Sequence, residues 1–186
     1  VDVLMVHDRA REDAFIADGY GINRRVFAYN YFIIVGPESD PAGIKGMEPE
    51  EAFTTIREKG MAGEPGVIFV SRGDASGTHS KEQAIWKAAG FNYSTEIQGS
   101  GDWYREAGTG MGATLEMANE LQGYTLSDIG TFLAYQRDLD LVTLVDEGDI
   151  LLNVYCVMQI NPEKYPEINS TLAKAVITAA ATVAIQ

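Results

Sequence analysis

Cysteine is almost missing from this chain. Cys156 stands alone among 186 residues, which excludes an internal disulfide, and its place in an apolar run marks it as a small buried side chain. Histidine is nearly as scarce: His7 and His79 are the only two and lie far apart. With one thiol they make no ligand set for a soft metal. No stretch reaches the roughly 18 apolar residues of a membrane-crossing helix, so direct membrane insertion is not expected. Positive charge is also short. Fourteen Lys and Arg face 27 Asp and Glu, for a formal net charge of −13. Such a balance disfavours nucleic acid and anionic lipid as partners. There is no Walker lysine and no G-x-S-x-G elbow. The chain starts at Val1 with no signal-peptide pattern, as a mature, trimmed or partial chain would.

What remains is a globular composition, 46% hydrophobic and 22% charged, enough to bury a core in one domain or two small ones. The most informative stretch runs from Val67 to His79. Val67-Ile68-Phe69-Val70 predicts a short buried strand. Ser71 to Thr78 is small and polar with two glycines, and a helix is expected from Ser80 to Ala89, stopped at Gly90. The chemistry of such a junction is anion capture. A helix N-terminus carries unpaired N–H groups and partial positive charge. Ser76, Gly77 and Thr78 sit where those donors point, and Arg72 adds a planar fork suited to an oxyanion. Asp74 either orients that guanidinium or repels an anion. The plainer reading is ordinary capping chemistry. A third reading sees Ser76, His79 and Asp74 as a hydrolase triad, but a triad is recognised by geometry rather than order. His79 reads instead as a cap-region or surface residue.

Elsewhere strands and helices alternate, giving an α/β class. Val3–Val6 reads as a buried strand, with Asp8 capping a helix as far as Gly19. His7, at the carboxyl end of that strand, is placed for a ligand crevice, but the favoured reading is a satisfied, partly buried histidine. Tyr20 to Asn23 reads as a turn, and Arg25–Val35 as an unusually long strand closed by Gly36-Pro37. Pro49 opens a helix that Gly60 stops. Trp103–Glu106 is expected to start a short helix. Gly108-Thr109-Gly110-Met111-Gly112-Ala113 matches the letters of a dinucleotide fingerprint but lacks the strand before it, and reads as a helix N-terminus. Ser127 is expected to cap a helix, Leu139–Val145 and Leu151–Ile160 are strands, and Thr171–Ile185 is a final helix. The two long extended runs bracket the middle, which suggests one lobe inserted in another: residues 1–32 and 153–186 in lobe 1, and 33–152 in lobe 2.

Several blocks in order carry a resemblance. They are Asp2-Val3-Leu4-Met5-Val6-His7, Gly19-Tyr20-Gly21 followed by Arg25, Tyr29 to Pro37, Phe69-Val70-Ser71-Arg72-Gly73-Asp74-Ala75-Ser76-Gly77-Thr78, Gly110 to Leu115, Tyr124 to Asp128, and Asn161 to Lys164. Together they resemble the substrate-binding component of tungstate ABC transporters, within the class II periplasmic binding proteins. The resemblance implies a two-lobed α/β fold whose first lobe lacks its N-terminal piece here, including a Thr/Ser-rich turn that supplies hydroxyls. It implies a protein that is not an enzyme and needs no cofactor. Its ligand would be a tetrahedral oxyanion, tungstate or molybdate, captured between the lobes by hinge closure. Arg72 and Thr78 match the family's ligand-binding residues, with Ser76 and Gly77 beside them. The implied partner is a membrane permease and the implied place is periplasmic or extracytoplasmic. Three positions depart from the family: Tyr31 stands for an Asp, Asp8-Arg9 for a small residue and Pro, and Ile129 for an Arg. The last removes a second cation. A ligand-sensing regulatory domain has the same fold and is the alternative.

Overall fold

A 17-residue strand, β2 (Gly21–Pro37), runs through both parts of the chain. In the computed structural model, which describes residues 1–183, the chain divides into two compact units. Val1–Asn30 and the segment from Asn153 onward make the first, and Tyr31–Leu152 make the second.

Residues 32–37 of β2 are buried without a break. Alternation is hidden there because both faces of the strand are covered. Phe32 and Ile34 enter one core and Ile33 and Val35 the other. Around it the second unit builds a mixed sheet. β2 pairs antiparallel with β5 (Tyr124–Asp128) and with β6 (Leu141–Val145). β5 runs parallel to β3 (Phe69–Ser71), which runs parallel to β4 (Tyr104–Glu106). On one face lie α2 (Pro49–Met61) and α3 (Gly77–Ala88), burying Phe53, Ile56, Ile85 and Trp86 against Phe69 and Tyr124. On the other lie α4 (Met111–Leu121) and α5 (Ile129–Tyr135), with Leu115, Ala118 and Phe132 against Ile33, Val35 and Val70.

In the first unit β1 (Val3–Val6) pairs antiparallel with β7 (Leu152–Ile160), which lies between β1 and β2. The helices α1 (Arg9–Ala17) and α6 (Ser170–Val183) complete it. Asp8 caps α1 by accepting from the Arg11 N–H. The fully buried Glu12 reaches Arg24 at 2.7 Å. Cys156 is buried, and burial, with the Glu12 carboxylate beside it, pushes its thiol up to about 11. His7 Nδ1 lies 3.1 Å from Asn153 Oδ1 and is half-buried.

Several elements differ from the sequence reading. The strand expected over 67–70 is Phe69–Ser71, because Val67 and Ile68 precede the ladder to β4 and β5. β1 is only half-buried, with Met5 56% exposed. β2 begins at Gly21, so most of the expected turn is strand, and it continues through Gly36-Pro37 in its pairing with β6. Gly60 lies inside α2 rather than after it. Trp103–Glu106 is not helical: Tyr104 enters the sheet and stacks on Phe69 at 5.9 Å. A strand therefore does precede the glycine-rich stretch at 108–112. Asp128, not Ser127, caps α5, since Ser127 is held in β5 opposite Ile33. The last residues of the expected final helix, 184–185, lie outside the described residues.

Candidate functional site

The parallel strand β3 ends at Ser71, and the chain turns through Arg72–Ala75 into α3. In a parallel sheet this is the carboxyl edge, where strand-to-helix loops form ligand crevices. The loop is pinned to the continuation of β4. Ala107 N–H donates to the Ser71 carbonyl and Gly108 N–H to the Arg72 carbonyl, both at 2.8 Å. Gly108 therefore serves this loop. Two residues of the loop are left-handed, Gly73 at φ 61° and Ala75 at φ 57°. A Cβ on Gly73 would also sit 2.8 Å from Cβ of Glu106. That position needs glycine for its space as well as its backbone angle.

The helix starts three residues earlier than expected, at Gly77, with Ser76 as N-cap. Four N–H groups at such an end have no partner within the helix. Ser76 N–H donates to Asp74 Oδ1 at 3.1 Å and His79 N–H to Ser76 Oγ at 3.3 Å. The amides of Gly77 and Thr78 have no acceptor among the described residues. Beside them, Arg72 is 19% exposed in its side chain and pairs through Nη2 with Asp74. Its Nε is buried and has no partner among the described residues. Arg72, Ser76, Gly77 and Thr78 are thus brought together in one loop and one helix turn. Burial alone would raise the Asp74 carboxyl; the Ser76 hydroxyl and amide, with the Arg72 guanidinium, outweigh it and hold Asp74 below its usual range.

His79 lies in the cap region of α3 and not at the surface; it is 6% exposed. Its Nδ1 accepts from Ala75 N–H at 3.0 Å, and its Nε2 lies 2.9 Å from the Tyr93 hydroxyl and 3.1 Å from the Gln83 amide. Among the described residues neither ring nitrogen bonds Ser76 Oγ or Asp74, and the three do not form a relay. A polar network extends behind the loop. Tyr93 OH donates to Glu106 at 2.9 Å and lies 3.0 Å from Tyr104 OH. Tyr104 OH donates to Glu82 at 2.6 Å. Glu82 also accepts from Trp86 Nε1 at 3.1 Å and from Ser71 Oγ at 2.5 Å, and Ser71 Oγ accepts from Gly73 N–H at 3.1 Å. Burial pushes the Glu82 carboxyl up to about 7 against these three donors. Burial lowers His79, helped by Arg72 and opposed by Glu106 and Asp74. The sequence reading missed this network. The available signal was spacing: Glu82 lies three and four residues before Ile85 and Trp86, on an apolar helix face where an acid must find partners.

The model of the PBP superfamily domain matches residues 1–181. The chain belongs to the PBP superfamily. Within it, the chain is 50% identical over 180 residues to a protein of Haloferax volcanii provisionally named an ABC transporter anion-binding protein, covering 94% of this chain and 49% of that one. It is 42% identical to the tungstate-binding protein TupA of Peptoclostridium acidaminophilum, covering 94% of this chain and 58% of that one. Among solved structures, the tungstate ABC transporter protein of Geobacter sulfurreducens matches with a TM-score of 0.79 and 43% identity, covering 100% of this chain and 76% of that one. This PBP chain thus spans between about half and three fifths of the length of these two curated relatives.

Proposed function

We propose that this chain captures a tetrahedral oxyanion, tungstate or molybdate, as part of the solute-binding component of an ABC importer working outside the cytoplasm. The observation that carries the reading is local. Among the described residues the amides of Gly77 and Thr78 have no acceptor, and the Arg72 guanidinium, tied to the helix start through Asp74, has a buried Nε with no partner. An oxyanion there would accept from both amides and from Arg72, with the Ser76 and Thr78 hydroxyls within the same turn. The names of the similar proteins support the same ligand class. Arg72→Ala removes the one cation of this set. A hydrogen bond to a charged group contributes roughly 1.5–3 kcal/mol. The variant should therefore bind tungstate at least about tenfold more weakly. Calorimetric titration with tungstate, molybdate, sulfate and phosphate tests both points. Binding of tungstate or molybdate ahead of sulfate is expected. Unchanged affinity in Arg72→Ala would remove the loop from the site, and no binding of any oxyanion would shift the search to small organic anions.

A further inference from the structure

We infer that His79 is a positioning residue of the anion site: its Nδ1 holds the Ala75 amide and so fixes the turn that presents Arg72 and the first amides of α3. The inference rests on the anion reading above and adds a residue that contacts no ligand. Ala75 is a non-glycine residue in the left-handed region, at φ 57°. Such a conformation is unfavourable for an L-residue and persists only where its surroundings determine it. Here the determinants are visible. Gly73, Ala75 and Ser76 each place their N–H on a side chain: Ser71 Oγ, His79 Nδ1 and Asp74 Oδ1 respectively. Two of those three acceptors belong to the network behind the loop. His79 is itself N3 of α3, so one residue ties the helix start to the turn before it.

The bond also fixes the proton. A backbone amide can only donate, so Nδ1 must be the bare nitrogen and Nε2 must carry the hydrogen. Nε2–H then donates to Tyr93 OH, whose own proton goes to Glu106, and the Gln83 amide 3.1 Å away can meet this nitrogen only with its oxygen turned to the ring. The groups facing the ring are Tyr93 from the π-helical turn at Tyr93–Ile97, Glu106 and Tyr104 from β4, Arg72 and Asp74 from the loop, and Gln83 from its own helix. Protonating the ring, or moving its acceptor, forfeits the Ala75 bond while leaving the helix intact.

Two substitutions separate the ring's contacts. Asparagine reaches about as far as Nδ1 and keeps an acceptor for Ala75, whereas glutamine reaches about as far as Nε2 and keeps the contact to Tyr93. Tungstate and molybdate titrations are run on the whole chain and both variants, with amide exchange at Ala75 followed without ligand. His79→Asn should bind within about threefold of the parent and keep Ala75 protected, and His79→Gln should lose at least about tenfold and expose it. Equal losses in the two variants, or parental binding in His79→Gln, would overturn the inference. If the parent chain binds no oxyanion, the anion reading fails by itself and the Ala75 protection pattern alone judges the role of His79. If either variant does not fold, nitrogen NMR of the parent decides: a bare Nδ1 supports the inference and a protonated Nδ1 sinks it.

Discussion

Gly60 shows how a single residue type can carry opposite meanings. Read from sequence it stops a helix, since glycine commonly follows a C-terminus. In the structure it lies one residue before the end of α2 and is buried. A Cβ there would meet Cβ and Cγ of Trp103 at 2.7 Å, and Trp103 is itself only 4% exposed. Two effects of Gly60→Ala compete. Alanine is the better helix former by about 0.8–1.0 kcal/mol. Forcing a methyl into a packed indole costs typically 1–3 kcal/mol. Packing outweighs propensity, because the indole is bounded by Trp86 at 6.0 Å and Tyr104 at 5.6 Å and has little room to yield. Gly60→Ala should therefore destabilise the chain by about 1 kcal/mol or more in urea unfolding. A stabilised variant would show that the ring moves freely. The sequence could not supply this, because the contact partner is 43 positions away.

At the scale of elements, α3 carries both the candidate site and a buried acid. Glu82 is 2% exposed and its carboxyl is pushed up to about 7. A raised value means that the folded chain favours the protonated form. The stability this contributes is fully present below about 4.5, the ordinary value, and is lost as the pH rises through about 7. The size is on the order of 3 kcal/mol at 1.36 kcal/mol per pH unit. Glu82→Gln replaces the acid by a neutral group of the same shape. Its amide can donate to Ser71 and its oxygen accept from Trp86 and Tyr104. The variant should match the parent near pH 5 and exceed its unfolding free energy by a few kcal/mol near pH 8.5. Parallel pH curves for the two would show that the three donors keep Glu82 charged throughout. Local pattern had already placed most of these elements: α2, α4, β6 and β7 follow from caps, apolar runs and periodicity. Arg72, Ser76, Gly77 and Thr78 were legible because strand, loop and helix start are contiguous. The network behind them was not, because Ser71, Glu82, Tyr93, Tyr104 and Glu106 converge from four elements. β4 was misread for a related reason. Three residues show no period, and only pairing with β3 makes Tyr104–Glu106 a strand.

For the whole chain, the formal net charge of −13 acts against the proposed ligand. Tungstate and molybdate are dianions, so the long-range field repels what the local donors attract. The two effects have different ranges and respond differently to salt. At about 0.01 M the Debye length is roughly 30 Å, and an approaching anion feels most of the chain; at about 0.15 M it is roughly 8 Å, and distant carboxylates are screened. Contacts to Arg72 and to the amides of Gly77 and Thr78 are made within hydrogen-bond distance and are screened far less. Added sodium chloride should therefore raise the association rate of tungstate between these two ionic strengths while changing the dissociation rate little. Stopped-flow fluorescence reads this directly, since Trp86 bonds to Glu82, which bonds to Ser71 at the root of the loop. A rate that falls with salt would mean that a local positive field extends beyond Arg72 and steers the anion. The capture set would then have to include cations other than the one on this loop.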